Sequence, residues 1–325
     1  MNRRFDSWVL AFVLLLGGLA GLFLDSYYLN VGTEVITAVI FAMSYNIALG
    51  YGGLVSFGHS FFFGLGAYSV AILLRDTSVP FPLAMLVGMV LSGFLGACIA
   101  FVTRRSREVY FAILTMGFSQ VAFFITFTWY DFTGGDNGIF GFDVGKMLSV
   151  SRNFYWFTLV LAVAWFAVLV KLVHSPFGLT LRAMRDHEDR SKFIGVYPDQ
   201  HKMIALLISA MGSAMAGALY AGMSKLVHPN LLHWVTSAQP VLMTLLGGIN
   251  SFWGPALGAV VFKTAEVFLG QITERWTLVI GAILLGIVLI APNGLAGLLG
   301  NTRRSSPSPT SRTRAKIAQG PGGQA

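Results

Sequence analysis

Few side chains in this 325-residue chain are of a type to do chemistry, and their spacing excludes most of it. A phosphate-cradling loop needs glycines five positions apart, then a lysine, then a Ser or Thr whose hydroxyl holds magnesium. The nearest approach is Gly145-Lys146-Met147, with Phe140 where the first glycine belongs and Met147 where the hydroxyl belongs. The chain therefore carries no ATP site of its own. The six histidines show no His-Glu-x-x-His or other paired ligand spacing, and His228 and His233 stand five apart without a cysteine nearby, so no metal is expected. No Gly-x-Ser-x-Gly elbow occurs. The basic residues lack the aromatic platform of a folded nucleic-acid module, which excludes that partner. Cys98 is the single cysteine and sits in an apolar run, so it forms no intrachain disulfide and reads as a small buried residue. Catalysis is not expected, and no cofactor is expected on this chain.

What remains suits movement of a solute. Ser56-Phe57-Gly58-His59-Ser60 joins two apolar runs, and glycines 58, 64 and 66 allow an interrupted helix. Such an interruption frees backbone groups to line a polar path, with Ser56 and His59 beside it. The same residues also read as ordinary helix packing, with His59 a hydrogen-bonded structural histidine. Gly52-Gly53-Leu54-Val55-Ser56-Phe57 and Gly247-Gly248-Ile249-Asn250-Ser251-Phe252 share one pattern, and repeats interrupted at matching places point to transporters. Lys263 and Glu266 lie three apart in an apolar segment and can pair there. The densest charge is the segment His174–Lys202, with five Lys/Arg and four Asp/Glu in a chain that is only 11% charged.

The elements that position these residues follow from hydropathy. The chain is 55% hydrophobic with mean hydropathy +0.70, beyond what a soluble globule carries. Apolar runs of membrane length recur. They are Trp8–Leu24, Thr33–Leu49, His59–Leu74, Phe81–Val102, Val109–Thr128, Phe154–Val173, Met203–Met223, Trp234–Leu246, Phe252–Leu269 and Trp276–Leu299. The expected fold class is all-α: a polytopic helical membrane protein of about eight to ten segments, some broken or re-entrant. Trp8–Leu24 reads as an uncleaved first span in preference to a signal peptide. Trp234–Leu246 is too short to cross comfortably and reads as half of a re-entrant pair ending at Gly247-Gly248.

Charge sets orientation. With both termini inside, 16 of the 22 basic residues face the cytosol. They include Arg3 and Arg4, Arg104 to Arg107, the segment ending at Lys202, and the tail. Residues 1–300 then form one membrane domain with 174–202 as a cytosolic loop, and 301–325 form a disordered basic cytosolic tail that touches anionic lipid. Within the loop, Leu179 to Ile194 reads as one helix, stopped by Gly195 and Pro198. Thr133-Gly134-Gly135-Asp136-Asn137-Gly138 specifies tight turns in an outer loop. In Met203–Met223, Ala210, Ala214, Ala218 and Gly222, with the row Ser209, Ser213, Gly217 and Ala221, make a smooth face for another helix of this chain or of a partner.

In order along the chain stand GGLVSFGHSFFFGLGAY (52–68), REVYFAILTMGFSQV (107–121), TGGDNGI (133–139), SPFGLTLRAMRDHEDRSKFIGV (175–196), SAMGSAMAGALYA (209–221), LLGGINSFWGPALGA (245–259) and PNGLAGLL (292–299). Together they resemble the LivM type of branched-chain amino acid ABC transporter permease, over roughly residues 31 to 299. The resemblance implies an importer subunit in the bacterial inner membrane. It implies a sister permease of LivH type, two cytosolic ATPase subunits that bind ATP and magnesium, and a periplasmic solute-binding protein. Asp189-Arg190-Ser191-x-x-x-Gly195 matches the spacing of the family's ATPase-docking motif, Glu-Ala-Ala-x-x-x-Gly, with Asp, Arg and Ser in place of Glu, Ala and Ala. By that resemblance Arg185, Glu188, Asp189, Arg190 and Gly195 form the coupling element, and the path passes near Ser56, His59, Gly247 and Gly248. Branched-chain or related amino acids are the implied substrates; other members of such families carry urea, short amides or aromatic compounds. A secondary transporter would have to rely on Lys263 and Glu266 for its buried charge, and a passive channel would work without partners.

Overall fold

A central helix of small residues organises the molecule. The computed structural model describes residues 3–104, 106, 108–193, 195–272, 275, 278–282, 286 and 294–299. Its helices are α1 (Arg3–Phe23), α2 (Ser26–Asn46), α3 (His59–Asp76), α4 (Phe81–Thr103), α5 (Glu108–Thr128), the short α6 (Tyr130–Thr133), α7 (Ser151–Val173), α8 (Pro176–Asp186), α9 (Glu188–Phe193), α10 (Pro198–Ser224), α11 (Trp234–Gly247), α12 (Gly254–Ile272) and α13 (Gly294–Leu299). Helix α10 packs most extensively on α4, α3 and α2. Both of its small-residue rows are buried within the chain. A Cβ added at Gly66 of α3 would fall on the Ala214 backbone, and one at Gly217 on the Phe63 carbonyl oxygen. Lipid tails are as apolar as leucine, so membrane helices associate by such close backbone approach rather than by apolar burial.

Among the described residues six helices are long and apolar enough to cross a membrane: Ser26–Tyr51, Phe81–Thr103, Val109–Thr128, Ser151–Val173, Pro198–Ser224 and Gly254–Ile272. Large apolar side chains such as Leu86, Val90 and Phe94 of α4 and Ile113 and Phe124 of α5 stand exposed. An apolar outer surface of this extent requires an apolar solvent. The chain is a multi-pass helical membrane protein. Cys98 lies on the exposed side of α4, against the expectation of burial, because the small residues Gly93 and Gly96 take the inward positions facing Met211 and Ala210. The last apolar run, from Trp276, is described only in part, and the tail 301–325, like Arg105 and Arg107, lies outside the described residues.

The short segment behaves as half of a hairpin. Helix α11 has 14 residues, roughly 21 Å at 1.5 Å per residue, against a hydrocarbon core of roughly 30 Å. It stops at Gly248, whose φ of +107° suits glycine, and α12 returns beside it: a Cβ at Gly258 would strike the Met243 carbonyl oxygen. Among the described residues the one sheet is a two-residue ribbon, Ile139–Phe140 antiparallel to Leu226–Val227. The turn predicted before it is present, with positive φ at Gly134, Gly135 and Gly138.

Polar contacts gather several ends on one face. Asp6 at the start of α1 is buried; it accepts from Trp253 Nε1 at 2.9 Å, and its other oxygen lies 3.3 Å from His174 Nε2 at the end of α7. The N-terminus, the charged loop and the α11–α12 turn therefore share a side of the molecule.

Candidate functional site

The charged loop folds as two helices rather than one. Helix α8 ends at Asp186, His187 is non-helical (φ −153°, ψ 86°), and α9 restarts at Glu188. Glu188 and Asp189 occupy the first turn of α9, where carboxylates meet the positive end of the helix dipole, and Arg190 and Lys192 occupy its last. That charge order favours a fresh helix start over continuation. The stop falls where expected: Gly195 (φ +84°) donates to Lys192 O at 3.0 Å and Val196 to Ser191 O at 3.1 Å, the paired bonds of a Schellman ending.

Helix α8 grips the end of α2. There α2 loosens into a π-helical turn, Ile47–Tyr51, and the chain leaves it through Gly52 and Gly53 (φ +69°). Arg185 Nη1 donates to Gly50 O at 2.5 Å, and its Cγ stands 3.0 Å from where a Gly53 Cβ would sit. Arg182 Nη2 donates to Tyr51 Oη at 3.0 Å while its guanidinium lies 4.5 Å from the Tyr51 ring centre. The second glycine break meets the same turn, since a Cβ at Gly50 would lie 2.9 Å from Ile249 O. The two copies of the Gly-Gly pattern thus converge, and in each the second glycine takes the positive φ.

Helix α9 is tied to α10. Glu188 receives Lys202 Nζ at 2.7 Å and Lys192 Nζ at 3.1 Å. Partial burial works to raise the Glu188 pKa, but the hydrogen bonds and charges of Lys202 and Lys192 prevail and hold it below the usual glutamate range. Between these elements opens a cleft of about 1310 Å³, lined among others by Gly53, Arg104, Arg185, Glu188, Gly195 and Lys202. Asp189 and Arg190 point to solvent outside it. Arg185, Glu188 and Gly195 are brought together around one opening; Asp189 and Arg190 offer an outer charged edge.

The residues named for the path lie deeper. Ser56 is buried and accepts the Gly58 amide at 3.2 Å. His59 opens α3, bonds Ser209 Oγ through Nε2 at 2.7 Å and meets the Tyr45 ring edge-on at 4.6 Å. Gly247 packs against the Gly254 backbone. Ser56, His59, Gly247 and Gly248 line neither the cleft nor the smaller cavity described below. His228 and His233 accept backbone amides of Asn230 and Val235 through Nδ1, which employs both as helix caps.

Two groups escaped sequence reasoning. Ser60 joins Ser119 Oγ (3.0 Å), Ser237 Oγ (2.8 Å) and Leu232 O (3.1 Å) in a buried hydroxyl cluster between α3, α5 and α11. Lys263 pairs with Glu266 at 2.9 Å, as the spacing predicted, and also with Glu34 of α2 at 3.0 Å. An acidic residue in an apolar run was the available signal for Glu34; its partner, 229 positions away, was not.

Comparison with known proteins decides the family. The model for the branched-chain amino acid transport system / permease component matches residues 27–290. The chain belongs to this family. LivM, the high-affinity branched-chain amino acid transport system permease protein of Salmonella typhimurium strain LT2, is 25% identical over 293 residues, 82% of this chain and 69% of that protein. Its counterpart in Escherichia coli K12 matches to the same extent. LivH, the other permease protein of that name in Salmonella typhimurium, is 21% identical over 290 residues, 80% of this chain and 91% of LivH. No solved structure matches. Membership in the family makes the charged loop and the two glycine breaks parts of a transport permease, and the bonds of α8 to the π-turn a link between them.

Proposed function

We propose that this chain is the membrane-spanning subunit of an ABC importer in a bacterial cytoplasmic membrane, moving branched-chain or related amino acids. A periplasmic binding protein delivers the substrate, a LivH-type sister permease completes the membrane unit, and two cytosolic ATPase subunits hold ATP and magnesium. The family match over residues 27–290 carries this reading. Similarity to both LivM and LivH supports a paired permease, since the two partners share ancestry with one chain.

In this reading the basic face is cytosolic. The ATPase subunits engage the α8–α9 loop through Asp189 and Arg190 at its outer edge, with Arg185, Glu188 and Gly195 behind them. Movement of α8 pulls on the π-turn of α2 through Arg182 and Arg185. The two glycine breaks, at Gly52-Gly53 and Gly247-Gly248, are the hinges that respond, and Ser56 and His59 follow as the path opens. A distorted helix end beside two positive-φ glycines is where such a displacement costs least.

The test is co-purification with the ATPase subunits and uptake into proteoliposomes. Charge reversal at Glu188 and Asp189 lowers ATPase association at least fivefold while membrane insertion is kept. Unchanged association and uptake would show that the subunits dock elsewhere.

A further inference from the structure

At the end of the molecule away from the cleft, α12 and α2 hold a charge cluster around a small cavity. Lys263 Nζ stands 3.0 Å from Glu34 Oε1 and 2.9 Å from Glu266 Oε2, and the lysine side chain is only 12% exposed. Two carboxylates and one ammonium leave a surplus negative charge within a membrane-spanning region, where an unneutralised charge is costly and marks function. These groups line a cavity of about 190 Å³. Tyr220 of α10 and Gln239 of α11 add polar groups to its wall; Phe41, Phe63 and Met243 give it an apolar side. Leu231 and Thr236, from the α10–α11 connection and the start of α11, also line it.

The chemistry of the lining selects a ligand. A bare cation would need only carboxylates, and a bare anion would be repelled by two of them. An α-amino acid carries the opposite pair: its ammonium can replace Lys263 as partner of a glutamate, while its carboxylate takes the released lysine. The net charge of the cluster is unchanged, but each glutamate then has a cation beside it, one from the ligand and one from Lys263. The apolar side accepts an aliphatic side chain. The volume is below the roughly 300–1,000 Å³ of pockets for drug-sized ligands, which suits a single amino acid.

We propose that Glu34, Lys263 and Glu266 form a station that binds the zwitterionic head group of an α-amino acid as it passes through the permease. This rests on the amino-acid reading above and adds a site to it. Tyr220 lies where it can orient the head group, and the ion triad keeps the station neutralised to within one charge when empty.

Binding of radiolabelled L-leucine to the detergent-solubilised complex, without the binding protein, tests the station, with uptake into proteoliposomes as the second readout. Glu266→Gln and Lys263→Met each weaken L-leucine binding and uptake at least tenfold in complexes that assemble, and Lys263→Arg recovers part of both. Glu266→Gln keeps size and hydrogen-bonding capacity, so it carries the test if Lys263→Met fails to assemble. Isoamylamine and 4-methylpentanoate, each with one of the two charges, displace L-leucine at least tenfold less well than unlabelled L-leucine. Wild-type binding and uptake in Glu266→Gln overturn the proposal and make the triad a structural brace. Equal displacement by isoamylamine also overturns it, since the site then reads only a cation. Wild-type complex that takes up no L-leucine at all instead sinks the functional reading, and the station with it.

Discussion

Single positions divide into those where backbone meets backbone and those where charge meets charge. Gly217 of α10 faces the Phe63 carbonyl so closely that no Cβ fits, whereas Gly117 of α5 has nothing within 4 Å of that point. Gly217→Ala should cost about 1–3 kcal/mol, the usual cost of overpacking. Gly117→Ala should change stability by less than about 0.5 kcal/mol. Thermal unfolding of the purified protein in detergent separates them. Glu188 tests the charge contacts. Its folded pKa is lowered, so its contribution is fully present above the unfolded value near 4.3 and is lost as pH falls through the lower folded value. Amide protection across residues 188–196, relative to the intrinsic exchange rate at each pH, should fall below about pH 4 in the wild type, and Glu188→Gln should show the lower protection already at pH 7. Local composition announced Gly195 as a helix stop, and its φ of +84° agrees. The inward or outward side of Cys98 was not legible, because an apolar run for a membrane carries no polar face to mark the outside.

At the scale of elements, α8 is joined to the π-turn of α2 at two points. Two arginines reach the turn, one by a backbone carbonyl and one by a tyrosine ring and hydroxyl. Arg185→Ala should lower uptake by the reconstituted complex about tenfold while ATP hydrolysis continues, the signature of a broken linkage. Loss of hydrolysis in parallel with uptake would place Arg185 in docking instead. The loop was legible as a charged island, but not its division at His187. A stretch from Leu179 to Ile194 has helix-compatible residues throughout, and only the restart at Glu188, with Lys202 of α10 beside it, selects two helices. The short segment 234–247 was legible from its length alone. The hairpin was settled by packing, where Gly247, Gly254 and Gly258 let α11 and α12 touch through backbone.

For the whole molecule, sidedness is the property on which transport depends. Asp6, His174 and Trp253 tie the start of α1, the loop and the hairpin turn to one face, which the proposed orientation turns to the cytosol. In a Cys98→Ser background, Asp189→Cys should react with a membrane-impermeant maleimide in inverted vesicles and not in intact cells. Labelling of intact cells would reverse the orientation. Local composition alone makes this chain helical and membrane-spanning and sets where it breaks and where its charge collects, because hydropathy, glycine and charge act on near neighbours. It left open whether the small-residue rows of α10 face this chain or another, and tertiary structure turned them inward onto α2, α3 and α4. Tertiary structure alone also joined Glu34 to Lys263, gathered Ser60 with Ser119 and Ser237, and set Arg185 against Gly50. Those contacts bridge from 59 to 229 positions. No spacing rule reaches across such separations; they exist because the α10 small-residue face lets α2, α3 and α4 close around one axis.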